Sequence, residues 1–191
     1  LTERLDALES EKLEFSNYIY KKSSSNISNI SADGGSFTID ANGLNISSGG
    51  VTLDKQINLS KRYLELRLKL KTDTVFYIGT KNVENVVGEQ QAEINCGTKT
   101  IKINALGGTA GASKIFAFDI VNDREYILRY FKIDNVQRFE IIDTVTTNSD
   151  FVEENAQLGQ FDKYKFGKIS GTGTIIISKI SIKSILTERP Y

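Results

Sequence analysis

From Arg62 to Lys71 the chain alternates without a break. Leu64, Leu66, Leu68 and Leu70 take one side, and Glu65, Arg67, Lys69 and Lys71 take the other. Period two is the signature of a strand with one face in a core and one in water. The same rhythm recurs in TVFYIGT, AEINC, KTIKINA, KIFAFDIV, EYILRYFKI and VQRFEIID. It ends in TGTIIISKISIKSIL, where Ile176, Ile180, Ile182 and Leu186 are expected to share a face. Upstream, SFTID, GLNIS and VTL are separated by Asp33-Gly34, Asn42-Gly43 and Gly49-Gly50, dipeptides that favour hairpin turns. About ten strands joined by turns predict an all-β fold, an antiparallel β-sandwich or jelly roll. The lone proline, Pro190, follows the last strand and interrupts none.

The first residues follow another period. Leu1, Leu5, Leu8, Lys12, Phe15 and Ile19 fall at the a and d positions of a heptad, and Arg4 at g is placed to meet Glu9 at e of a neighbouring helix. This predicts a helical coiled-coil stub over residues 1–22. It is too short to hold strands together alone, so it is either the tail of a longer coil or a helix packed on its own domain. The Ser, Asn and Gly-rich residues 23–36 read as a linker or an extended lead-in strand. Residues 37–191 are the sandwich domain. The first residue is Leu rather than Met, as expected for a piece of a longer polypeptide.

Composition narrows the chemistry. The 24 basic and 24 acidic side chains cancel, which gives no global field toward nucleic acid or anionic lipid. No stretch approaches the ~18 apolar residues of a membrane-spanning helix. The sequence contains no His, Met or Trp and a single Cys, which removes His-based metal sites, Ser-His-Asp and Cys-His nucleophiles, and intrachain disulfides. Cys96, inside a strand-like run, reads as a buried small hydrophobe. The Gly-rich segments 107–113 and 170–174 lack the strand-to-helix setting of a phosphate cradle and read as hairpin loops.

RYLELRLKLKTDT followed by FYIG, then DREYILRYFKIDNVQRFEIID, then KYKFGKISGTGTIIISKISIKSI, resembles the concanavalin A-like or laminin-G-like jelly roll. In that family a strand like EYILRYFKI pairs with one like VQRFEIID across a short turn, here Asp134-Asn135. The stub and the Ser/Gly-rich lead-in resemble the way bacteriophage tail-fibre and baseplate proteins present such domains, as trimers on a stalk. The resemblance implies a virion or cell-surface location, a homotrimer formed through residues 1–22, and a host surface glycan as partner. Related jelly rolls also serve as accessory domains beside esterases or glycosidases, and others are structural adaptors without a ligand. No metal site is implied residue by residue.

Glycan sites on β-sandwiches combine an aromatic ring that stacks on a pyranose with amides or carboxylates that bond its hydroxyls. Without Trp, tyrosine must supply the ring. The candidates are Tyr126 and Tyr130 on one face of their strand, Arg129 on the other, Asp134 and Asn135 at the turn, and Tyr77 and Tyr164 elsewhere; core packing is the competing reading for each tyrosine. Asp119, Asp123, Glu125, Glu140 and Asp143 are the carboxylates available for a hydrolytic pair; the resemblance implies paired acids concentrated within one strand in the hydrolases of that fold, and since no such cluster occurs here, no catalytic residue is expected. A calcium site at Asp33, Asp40 or Asp54 competes with ordinary Asx turns, and no cofactor is expected.

Overall fold

The computed structural model describes residues 20–21, 30–54, 57–58, 62–82, 90–104, 111–133, 136–155 and 161–184. Every regular element among them is a strand. They are β1 (Tyr20–Lys21), β2 (Ile30–Asp40), β3 (Gly43–Leu53), β4 (Ile57–Asn58), β5 (Arg62–Lys69), β6 (Val75–Asn82), β7 (Gln90–Asn95), β8 (Thr100–Asn104), β9 (Ser113–Ile115), β10 (Glu125–Ile133), β11 (Val136–Asp143), β12 (Ser149–Asn155), β13 (Phe161–Ser170) and β14 (Ile175–Ser184). All pairings are antiparallel. The expected stub, residues 1–22, lies outside the described residues apart from Tyr20–Lys21, which pair with β14. β2 begins at Ile30, inside the segment 23–36 read as a linker or an extended lead-in strand.

Two layers emerge from the strand order. One runs β12-β11-β10-β5-β14, the other β9-β8-β7-β6-β13, and the hairpin β2–β3 joins them. The early part of β3 pairs with β14 from Leu44 to Ile46, and its late part pairs with β13 from Gly49 to Thr52. Only Asn42-Gly43, of the three turn dipeptides, turns the chain. Asp33-Gly34 and Gly49-Gly50 lie inside β2 and β3, where the pairing register shifts. Gly34 and Gly49 hold positive φ (69° and 62°), and a β-carbon at Gly35 would meet Ser48 O at 2.0 Å. Glycine is needed there to let two backbones touch as the ribbon passes from one layer to the other.

Alternation then builds the core. Leu64, Leu66 and Leu68 of β5 and Phe139 and Ile141 of β11 meet Phe76 and Ile78 of β6, Ile94 of β7 and Phe166 of β13. At the far edge Lys114 of β9 donates to Asp150 of β12, tying the two layers together. The segment after β13 is not a hairpin loop, since β13 and β14 flank β3 rather than each other. It crosses between layers, with Gly171 and Gly173 at positive φ and Thr172 N donating to Asp73 Oδ2 at 2.7 Å.

Candidate functional site

The outer faces of the two layers differ in chemistry. On the β5-β10-β11 face Arg129 Nε donates to Glu65 Oε2 at 2.9 Å, Lys183 Nζ donates to Glu65 Oε1 at 2.8 Å, and Arg129 reaches Glu140 at 3.4 Å. Burial pushes the Glu65 carboxyl up, but the hydrogen bonds from Lys183 and Arg129 outweigh it and hold it below the ordinary carboxylate range. Arg138 bonds Glu153 at 3.2 Å and lies over the Phe151 ring at 3.7 Å, and Tyr63 stacks on Phe131 with centroids 4.5 Å apart. Glu65, Glu140 and Glu153 on this surface are each paired with a cation. Arg129, expected to meet a ligand, is engaged by two carboxylates.

The expected tyrosine platform is corrected in three of four places. Tyr126, Tyr130 and Tyr164 are each 0% exposed, because alternation turns them into the core. For two of them the hydroxyl explains why tyrosine is tolerated there: Val121 N donates to Tyr126 Oη at 2.8 Å, and Tyr130 Oη donates to Gln137 Oε1 at 2.6 Å. Asp134 and Asn135 lie outside the described residues. Tyr77 is different. It stands half-buried on the outer face of β6, between the inward Phe76 and Ile78.

Two cross-strand rows set its surroundings. One reads Asp33, Gly50, Gly167, Tyr77, Glu93, Lys102, and the next reads Ser31, Thr52, Lys165, Gly79, Gln91, Asn104. The rows are two residues apart along each strand, so both lie on the outer face. Three glycines form a floor without side chains. A β-carbon at Gly50 would come within 2.1 Å of Tyr77 Oη, and one at Gly167 within 2.9 Å of its Cε1. The ring therefore lies across both glycines. Lys165 Nζ stands 5.7 Å from the ring centroid, and Glu93 pairs with Lys102 at 3.0 Å. Gly167, an isolated glycine inside a strand pattern, was the sequence signal for this close approach.

The carboxylates considered for catalysis do not assemble. Asp119 pairs with Lys99, Glu125 with Arg67, Glu140 with Arg129 and Arg138, and Asp143 with Arg124, while Asp123 occupies a turn at positive φ. Asp40 accepts from the backbone of Asn42 and Gly43 as an Asx turn, and Asp54 accepts from Ser31 Oγ at 2.7 Å. Among the described residues no three of His, Cys, Asp and Glu converge. The Cys96 thiol is buried and its pKa is pushed up to about 12 by desolvation.

No protein-family model and no curated protein sequence matches the chain. Solved structures do. Lectin I from Ulex europaeus, in complex with the methyl glycoside of α-L-fucose, is 9% identical with a TM-score of 0.68, over 88% of this chain and 97% of that one. The exoplasmic/lumenal domain of VIP36, in a form bound to Ca2+ and Man3GlcNAc, is 8% identical with a TM-score of 0.67 over 91% of each chain. The carbohydrate-binding module CBM66 from Bacillus subtilis is 8% identical with a TM-score of 0.60, over 83% of this chain and 98% of that one. At such identity the likeness shows the fold alone, an all-β antiparallel sandwich of jelly-roll type.

Proposed function

We propose that the chain is a non-catalytic glycan-binding module whose ligand lies on the outer face of β3, β13, β6 and β7. The observation that carries this reading is Tyr77 laid flat over Gly50 and Gly167. A ring held against a side-chain-free floor presents its other face to a pyranose, and the flanking rows carry the amides of Gln91 and Asn104 that can bond its hydroxyls. The solved neighbours that were determined with sugars add weight.

The wider setting rests on the sequence alone. We place the module on a phage tail or a cell surface, as a homotrimer through residues 1–22 that recognises a host polysaccharide by multiplying weak sites. A polysaccharide pull-down tests the core claim, with light scattering run in parallel on the full chain and on the chain lacking residues 1–22. Retention by a surface polymer that is abolished in Tyr77→Ala supports it. An oligomer that retains no polymer points instead to a structural adaptor.

A further inference from the structure

Both layers end on the same side of the sandwich, one at β12 and the other at β9. Among the described residues nothing pairs with the outer edge of β12. The adjoining hairpin sets which of its backbone groups point that way. Asp143 N donates to Asn148 O, and the register continues through Ile141↔Asp150, Phe139↔Val152 and Gln137↔Glu154. Bonded and free positions alternate along an antiparallel ladder. The backbones of Asp150, Val152 and Glu154 therefore bond β11, while the N–H and C=O groups of Phe151, Glu153 and Asn155 face away from it. Such a row is a template on which another chain can add a strand. Phe151 itself is 40% exposed and Ile115 of β9 is 70% exposed, so apolar surface adjoins the edge.

Two carboxylates of β12 itself occupy that row. Phe151 N donates to Asp150 Oδ1 at 3.0 Å, and Asn155 N donates to Glu154 Oε1 at 2.9 Å. Each acid takes the amide of the residue that follows it. Asp150 also accepts from Lys114 of β9, which fixes its side chain from the other layer. Pairing with a second copy would make the two acids act together. In the antiparallel register centred on Glu153, Phe151 of one copy would stand opposite Asn155 of the other, so each flanking rung needs two N–H groups that are already taken. The central rung would set Glu153 against Glu153, and like charges directly opposite destabilise a ladder. We propose that Asp150 and Glu154 are edge guards: they hold the backbone donors through which β12 would otherwise extend its sheet into a second copy of this chain. This role is independent of the glycan reading.

The test compares the full chain with Asp150→Ala, Glu154→Ala and the double variant by sedimentation velocity over a concentration series, with amide hydrogen exchange in parallel. The double variant should associate at least roughly tenfold more strongly than the parent, beyond any oligomer that the parent forms. The amides of Phe151, Glu153 and Asn155 should gain protection as its concentration rises. Loss of the tie to β9 could itself promote association by loosening the fold, so Lys114→Ala is the control. It removes the tie, leaves both guards and should associate like the parent. Glu154→Ala keeps the tie and should by itself raise association severalfold, which carries the test if the double variant fails to fold. Adding Glu153→Pro to the double variant should return it to the parent's size, because proline removes a donor from the free edge and none from the ladder with β11. Parent-like association in Glu154→Ala and in a folded double variant would overturn the proposal. Lys114→Ala associating as strongly as the double variant would overturn it too, as would association that brings no protection to β12.

Discussion

Gly167 lies beneath the ring of Tyr77, and a β-carbon on it would stand 2.9 Å from Cε1 of that ring. The same carbon would also come within 2.4 Å of Gly49 O and Gly50 Cα. Those are backbone atoms in paired strands and cannot swing aside as a side-chain tip would. Gly167→Ala is therefore expected to cost about 1–3 kcal/mol through forced backbone movement. For a domain of this size that is a drop of several degrees in Tm, read by differential scanning calorimetry. Ligand binding should fall further than stability, since the ring loses its seat.

The ring itself can be tested with less disturbance to the fold. Tyr77→Ala removes the platform without touching the core, which is formed by its neighbours Phe76 and Ile78. Affinity for the retained polysaccharide should fall at least roughly tenfold, or about 1.4 kcal/mol, with little change in Tm. Tyr130→Phe should do the reverse. Its hydroxyl bonds Gln137 inside the core, so the loss is about 1–2 kcal/mol of stability with binding unchanged. Isothermal titration and thermal melts on the two variants separate the roles.

Glu65 sets the acid limit of the β5-β10-β14 surface. Its folded carboxyl is held below the ordinary value of 4.5 by Lys183 and Arg129, against the opposing effect of burial. A depressed folded pKa favours the charged, folded form. The resulting stability is present above pH 4.5 and is lost as pH falls through the folded pKa. Glu65→Gln should cost about 1–3 kcal/mol near neutral pH, with the gap to the parent protein closing as pH drops below 4.5. Urea melts at neutral and acid pH measure that gap.

Much of the fold was legible because period two is a strong signal where strands are straight. The half-buried alternation of β5 follows directly from side-chain order, and the pairing of β10 with β11 is the one that the jelly-roll resemblance implied. Legibility failed where the backbone departs from that period. Asp33-Gly34 and Gly49-Gly50 looked like turns because glycine marks both turns and close backbone approaches, and only tertiary context separates the two. The site failed in a similar way. Tyrosine reads as amphipathic, so Tyr126, Tyr130 and Tyr164 could not be told from Tyr77 until the facing of each strand was fixed.

The closing strand carries the sharpest of these departures. Strict alternation would put Ile176 on the face of Ile180 and Ile182, but Ile175 and Ile177 are the ones fully buried. The register against β5 shifts between Ile177 and Lys179, which leaves Ser178 as the extra residue of a β-bulge. Ser178 Oγ donates to Glu125 Oε2 at 2.6 Å, so the bulged side chain is anchored to β10. One extra residue inverts the facing of everything beyond it, which allows inward isoleucines on both sides of the bulge. Deleting Ser178 would force either Ile175 and Ile177 or Ile180 and Ile182 out of the core. That change is expected to prevent folding, seen as loss of the β-sheet circular dichroism band and of a cooperative melt. Ser178→Ala keeps the bulge and removes only its anchor, and should cost about 1 kcal/mol. A deletion variant that still melted cooperatively near the parent Tm would show that the strand tolerates either register.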